Sequence, residues 1–333
     1  MADYKGIKGF KVQYLSTDPS NPIIGQIWYN DTSKALKYTG ATAAGAWATG
    51  NNLNTARYIL GGAGTQTAAL AFGGYTNPPA PTGIQAATEE YDGTNWVTGN
   101  NMNTARAELG SCGTQTAALA FGSPSATEEY DGASWTSSNP LNTARGQLAG
   151  AGTQTAALGF GGYTTSPPNV DTGATEEYDG NSWATSPGSL NTARSNLTGA
   201  GTQTAGLAIA GVDNFPGGTT NLNASEEYDG TSWTSGNSLN TARRALAGAG
   251  IQTAALAFGG LIPLPTQTGA TEEYDGTSWT TSPASLATAR AGLGGAGTQP
   301  AALAFGGSTP SAVAATEEWL GAGSPTTKTI TVS

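Results

Sequence analysis

The chain has 333 residues, 49 of them glycine, only 11% charged and none histidine, with a formal net charge of −10. That composition predicts turn-rich β structure instead of a helical bundle. Its acidity makes nucleic acid a poor partner, and the lack of histidine removes the commonest general base and the usual zinc ligand.

Taken from the N-terminus, residues 1–40 carry five lysines against three aspartates, whereas residues 41–327 carry seven arginines, no lysine and twenty acids. The change marks a domain boundary, and residues 1–43 are read as a separate N-terminal segment. Within it "QIWYN" and "ALKYTG" read as two strands joined by a turn at Asp31-Thr32-Ser33. "MADYKGIKGFKVQYL" has no cleavable signal. No apolar run approaches the roughly 20 residues of a membrane helix. Neither export nor membrane insertion is expected.

An internal repeat governs the rest, 44–323, with 324–333 left as a C-terminal tail. One copy reads Leu-Asn-Thr-Ala-Arg, a leucine three residues on, "GTQT", "AALAFGG", a loop of variable length, then "TEEYDG" and a tryptophan. The arginines stand at 57, 106, 145, 194, 243 and 290, so the spacings are 49, 39, 49, 49 and 47. That period suits a four-stranded propeller blade.

"RYILGGAG" (57–64) is expected to be the first strand and "TAALAFGG" (67–74) the second, turned by "GTQT". Leu70 and Phe72 should face one side of that second strand and Ala69, Ala71 and Gly73 the other. Large groups of one blade would then nest against small ones of the next. "TEEYDG" and the tryptophan form a second hairpin, because Asp-Gly tolerates the positive φ of a tight turn. Their tyrosine and tryptophan are expected to pack between blades. Cys112, the lone cysteine, replaces Ala or Gly of sister copies and reads as a small packed side chain.

Five tryptophans, 96, 135, 183, 233 and 279, follow an "EEY", while "EEW" at 317–319 has none after it. The sixth, Trp47, precedes the first arginine. A ring needs that arrangement if its final blade takes its outermost strand from the chain start. Six blades are expected, closed in this way.

The succession of arginine, an apolar strand ending in Gly-Gly, a Tyr-Asp pair and a following tryptophan resembles the kelch repeat, over about 44–321. The near-identity of "NTAR", "GTQTAALAFGG" and "ATEEYDG" between copies resembles the kelch-type repeat proteins of tailed bacteriophages. "PIIGQIWYNDTSKALKYTG" (22–40) is similar to a short β-hairpin element of phage tail and fibre proteins. The resemblance implies an all-β, six-bladed propeller in a virion protein, with residues 1–43 docking to other virion proteins. Such a protein would be assembled in the host cytoplasm and carried on the particle.

Chemistry finds little purchase. The copper radical oxidases among kelch propellers need histidine ligands, and "YDGTSW" departs in spacing from the sialidase Asp box. The paired glutamates are adjacent in a strand and face opposite sides, so they do not act together. No catalytic, cofactor or metal residues are assigned. Arg57, Arg106, Arg145, Arg194, Arg243 and Arg290 have a functional reading, an anion-binding funnel for acidic glycans. Repetition in every blade favours a structural one.

The unlike loops are where binding is expected: 75–87, 123–126, 163–174, 212–224, 261–270 and 308–315. Tyr75, Asn77, Tyr163, Asn169, Asp171, Asp213, Phe215 and Leu261 are the candidate contacts, with Tyr75, Tyr163 and Phe215 as exposed aromatics. In an up-and-down blade these loops leave the face opposite to the one that residues 1–40 join. The function expected is host-surface or glycan recognition by a virion protein. A structural decoration or spacer without a receptor is the alternative, and a glycan depolymerase the weakest reading.

Overall fold

Strand and turn follow directly from the repeat. In "AALAF" the apolar run leaves no polar face, so the strand is covered on both sides, and Ala69, Leu70, Ala71 and Phe72 are all fully buried. The computed structural model describes residues 12–20, 23–41, 44–76, 83–166, 169–213, 220–263, 266–323 and 325–330. Among these the fold is all-β with no helix, made mainly of four-stranded antiparallel sheets, consistent with a β-propeller.

The chain divides into two compact units, residues 46–319 and residues 1–45 with 320–333. In the larger unit the first sheet runs Gly61–Thr65, Ala68–Phe72, Thr88–Tyr91, Trp96–Thr98, from inner to outer strand. Four further sheets repeat that order. The last is Gly294–Thr298, Ala301–Phe305, Thr316–Leu320, and its fourth strand is Ala46–Gly50 from near the chain start. The first strand begins at Gly61 and not at Arg57 as expected. Ile59 has a φ of 53°, a left-handed conformation that an extended strand does not accommodate.

Large faces nest on small ones. Leu70 and Phe72 pack with Ala118, Ala120, Tyr130 and Trp135 of the next sheet, and Leu303 and Phe305 of the last sheet pack with Ala69, Ala71, Tyr91 and Trp96 of the first. Each outer tryptophan reaches back to the sheet before it. Trp135 lies 4.9 Å from Phe72, ring to ring, and its Nε1 donates to Thr88 Oγ1 at 2.9 Å. Trp47 makes the corresponding contacts for the last sheet, 5.0 Å from Phe258 with Nε1 donating to Thr271 Oγ1 at 2.8 Å.

The Asp-Gly turns form as expected. Gly93 has a φ of 88°, and Asp92 Oδ1 accepts from the N–H groups of Thr94 and Asn95 at 2.8 and 2.6 Å.

In the smaller unit Ile27–Asn30 pairs antiparallel with Ala35–Ala41, the hairpin expected from "QIWYN" and "ALKYTG". Gln13–Leu15 adds to it in parallel. The segment after residue 323, expected as a tail, supplies Pro325–Thr329, which pairs with Ala35–Ala41. Trp28 is fully buried there, and Asp18 accepts from Trp28 Nε1 (3.0 Å), Asn30 Nδ2 (2.6 Å) and Lys37 Nζ (2.6 Å). Those three donors, Lys37 foremost, hold the Asp18 carboxyl down at about 2.

Candidate functional site: framework, rim and variable connections

The six arginines lie inside the framework. Arg145 is fully buried; its Nη2 donates to Glu176 Oε1 at 3.0 Å, and its Nη1 to the carbonyls of Gly161 (2.9 Å) and Ala174 (2.6 Å). Glu176 also accepts from the backbone N–H groups of Asn142 and Thr143, at 2.7 and 3.2 Å, so it ties the "LNTAR" linker to its sheet. Burial lowers the Arg145 pKa and Glu176 opposes that shift. Arg57, Arg106, Arg194, Arg243 and Arg290 pair likewise with Glu89, Glu128, Glu226, Glu272 and Glu317. All six guanidinium groups are thus buried and paired with a glutamate of their own sheet.

In five of the six pairs the second glutamate serves the joint between sheets. Tyr228 Oη donates to Glu177 Oε1 of the preceding sheet at 2.6 Å, and Tyr178 Oη to Glu129 Oε1 at 2.5 Å. The glutamine of each "GTQ" or "GIQ" turn does similar work. Gln154 Nε2 donates to the carbonyls of Ala118 (3.0 Å) and Tyr130 (2.7 Å), and Gln66 Nε2 to those of Ala302 (3.2 Å) and Trp319 (2.6 Å). The reading of "GTQT" as a turn and no more missed this, although a glutamine kept in all six copies was a signal for it.

The inner strands enclose a cavity of about 230 Å³ lined largely by glycine, alanine and leucine. Glycine is required there by close approach: a Cβ on Gly150 would sit 2.5 Å from the Ser111 carbonyl oxygen, and one on Gly199 would sit 2.6 Å from that of Gly150. Cys112 lines this cavity and belongs to a buried cluster with Leu119, Phe121, Leu148 and Ala157, and burial pushes its thiol up to about 12.

At one end of the cavity stands a feature that sequence reasoning missed. The residue two places after each arginine is left-handed: Ile59 (φ 53°), Glu108 (61°), Gln147 (53°), Asn196 (52°), Ala245 (51°) and Gly292 (62°). Each backbone N–H donates to the carbonyl of its predecessor in the series, Gln147 to Glu108 at 2.8 Å for example, and Ile59 donates to Gly292 at 2.6 Å. All six line the cavity and are partly exposed.

Their side chains differ. Glu108 Oε2 accepts from Tyr163 Oη at 2.7 Å, and Glu108 Oε1 accepts from Gln147 Nε2 at 3.2 Å. Gln147 Oε1 in turn accepts from Asn196 Nδ2.

The candidate loop residues are placed unequally. Tyr75 is buried, not exposed: its backbone pairs with Tyr58 and the two rings lie 5.6 Å apart. Burial first, then the nearby Glu108, raises its phenol to about 12. Tyr163 is half-buried, because Tyr163–Thr164 pairs with Arg145–Gly146 and its hydroxyl is held by Glu108. Both are loop residues by position but are drawn onto the framework by backbone pairing.

Asn169 is exposed, and Asp171 bridges to Tyr163. Asp213 ends a long strand, Ala205–Asp213, and pairs with Thr220. Leu261 pairs with Arg244, and its carbonyl accepts from Asn221 Nδ2 at 2.8 Å. Asn77 and Phe215 lie outside the described residues.

Among the described residues no group of three or more His, Cys, Asp or Glu is placed to hold a metal. Compared with protein-family models and with curated proteins, the chain matches none.

Proposed function

We propose that residues 46–319 form a six-bladed kelch-like propeller, closed by the Ala46–Gly50 strand, in a bacteriophage virion protein that displays it for host-surface or glycan recognition. Residues 1–43 dock the chain to other virion proteins. One observation carries the display reading: the framework repeats almost residue for residue, while the connections after each "AALAF" strand differ in length and sequence. Scaffolds that bind through loops keep the scaffold and vary the loops. The glutamates that a depolymerase would use are engaged, the first of each pair by arginine and the second by tyrosine in five of the six sheets. The reading therefore contains no catalysis.

Immunogold labelling of purified particles with an antibody raised against the full chain tests the virion assignment. Gold at a fixed position on the particle is expected. Particles that carry no chain by labelling and by mass spectrometry would overturn it.

A further inference from the structure

The left-handed rim carries more than the framework needs. In all six copies the rim position follows an arginine by two and directly precedes a leucine, yet the rim residue itself is Ile, Glu, Gln, Asn, Ala or Gly. Positive φ is unfavourable for side-chain-bearing residues. Gly292 holds the same backbone shape and the same hydrogen bonds with no side chain. The side chains at the other positions are therefore kept against a local cost that the architecture does not impose.

Three of them are polar, consecutive around the cycle, and connected from Tyr163 through Glu108 and Gln147 to Asn196. An amide NH₂ has two donors and a carboxylate about four acceptor positions. These bonds use one N–H of each amide and leave the second N–H, the Asn196 carbonyl and further carboxylate lone pairs over, on three residues that are all partly exposed. The half-exposed Ile59 lies on one side of this arc and the half-buried Tyr163 ring beside it, so apolar surface borders the polar groups. The cavity beneath is smaller than the roughly 300–1,000 Å³ that suits drug-sized ligands. The six repeat arginines are paired inside the sheets, and Arg244, which directly precedes the rim residue Ala245 next after Asn196 in the cycle, donates to Asn221 Oδ1 at 2.6 Å, so the charged group within the arc itself is the Glu108 carboxylate.

We propose that the rim arc of Glu108, Gln147, Asn196 and Tyr163 binds the hydroxyl groups of a single neutral sugar residue, such as the end of a surface glycan. A carboxylate and two amides offer paired acceptors and donors to neighbouring hydroxyls, and the adjoining apolar surface suits the C–H face of a pyranose ring. The carboxylate disfavours acidic sugars. The inference rests on the host-recognition reading and narrows it to one site and one ligand class.

Saturation-transfer NMR on the full chain, with glucose, galactose, mannose and N-acetylglucosamine as separate probes, tests it. At least one probe is expected to receive saturation. In the variant E108G/Q147G/N196G the affinity should fall roughly tenfold or more, while the melting temperature holds or rises because glycine is freer at positive φ. Gln147→Gly alone should show a smaller loss, so the outcome does not depend on the triple variant folding. No transfer to any probe, or equal transfer to wild type and both variants, overturns the proposal. Undiminished attachment of the triple variant to host cells would also sink the rim site while leaving host recognition standing. Sugar binding without cell attachment would do the reverse.

Discussion

Glu176 and Glu177 stand side by side in one strand, face opposite ways, and serve different purposes. Glu176 is fully buried against Arg145, whereas the half-buried Glu177 accepts the Tyr228 hydroxyl across the joint to the next sheet. Removing one partner of a buried pair leaves an uncompensated charge, so Glu176→Ala should destabilise by about 3–5 kcal/mol. Glu177→Ala, which loses one hydrogen bond at a partly exposed site, should cost about 1–2 kcal/mol. Urea unfolding of the two variants measures the difference, and equal losses would refute the division of labour.

The tyrosines give a pH signature. Burial, followed by the bonds to Glu129 and Glu177, pushes the phenols of Tyr178 and Tyr228 up to about 12. A group whose folded value lies above its unfolded value of about 10 favours the fold fully below that value and loses its contribution as pH rises further. The urea midpoint should therefore hold to about pH 10 and fall between there and about 12. Tyr178→Phe should make that fall shallower, and an unchanged slope would count against it.

Among elements, the Ala46–Gly50 strand is the informative case, since it completes a sheet whose other strands begin at Gly294. Trp47 touches Phe258 and Trp319 and bonds Thr271. Trp47→Ala should cost about 3 kcal/mol, near the loss from truncating other large aromatic side chains in cores. A loss below about 1 kcal/mol in thermal or urea unfolding would show that the strand adds little to the last sheet.

This element was legible from the sequence because counting motifs exposed Trp47, next to the first "LNTAR" but without an "EEY" before it, and one "EEW" without a tryptophan after it. The Asp-Gly turns and the alternation of "AALAF" were legible for equally local reasons. The left-handed rim was not, because nothing in the residue types Ile, Glu, Gln, Asn and Ala announces a positive φ; the backbone hydrogen bonds between sheets impose it. Tyr75 and Tyr163 were misplaced for a related reason. Loop position suggests exposure, but backbone pairing with the segment after the arginine turns both inward.

Across the larger unit, one kind of joint is used six times. Leucine and an aromatic or isoleucine of one sheet meet paired small residues of the next, from Leu70 and Phe72 onward to Leu303 and Phe305 against Ala69 and Ala71. Tryptophan to threonine or serine, and glutamine to carbonyl, recur at the same joints. Uniform joints leave the rim and the connections as the positions free to differ, and the host-recognition reading places function there. The most direct measurement is the binding of labelled full chain to cells that the particle infects, followed by flow cytometry with unlabelled chain as competitor. Saturable, competable binding that also slows particle adsorption is the predicted result. No saturable binding, with adsorption unaffected by excess chain, would contradict it.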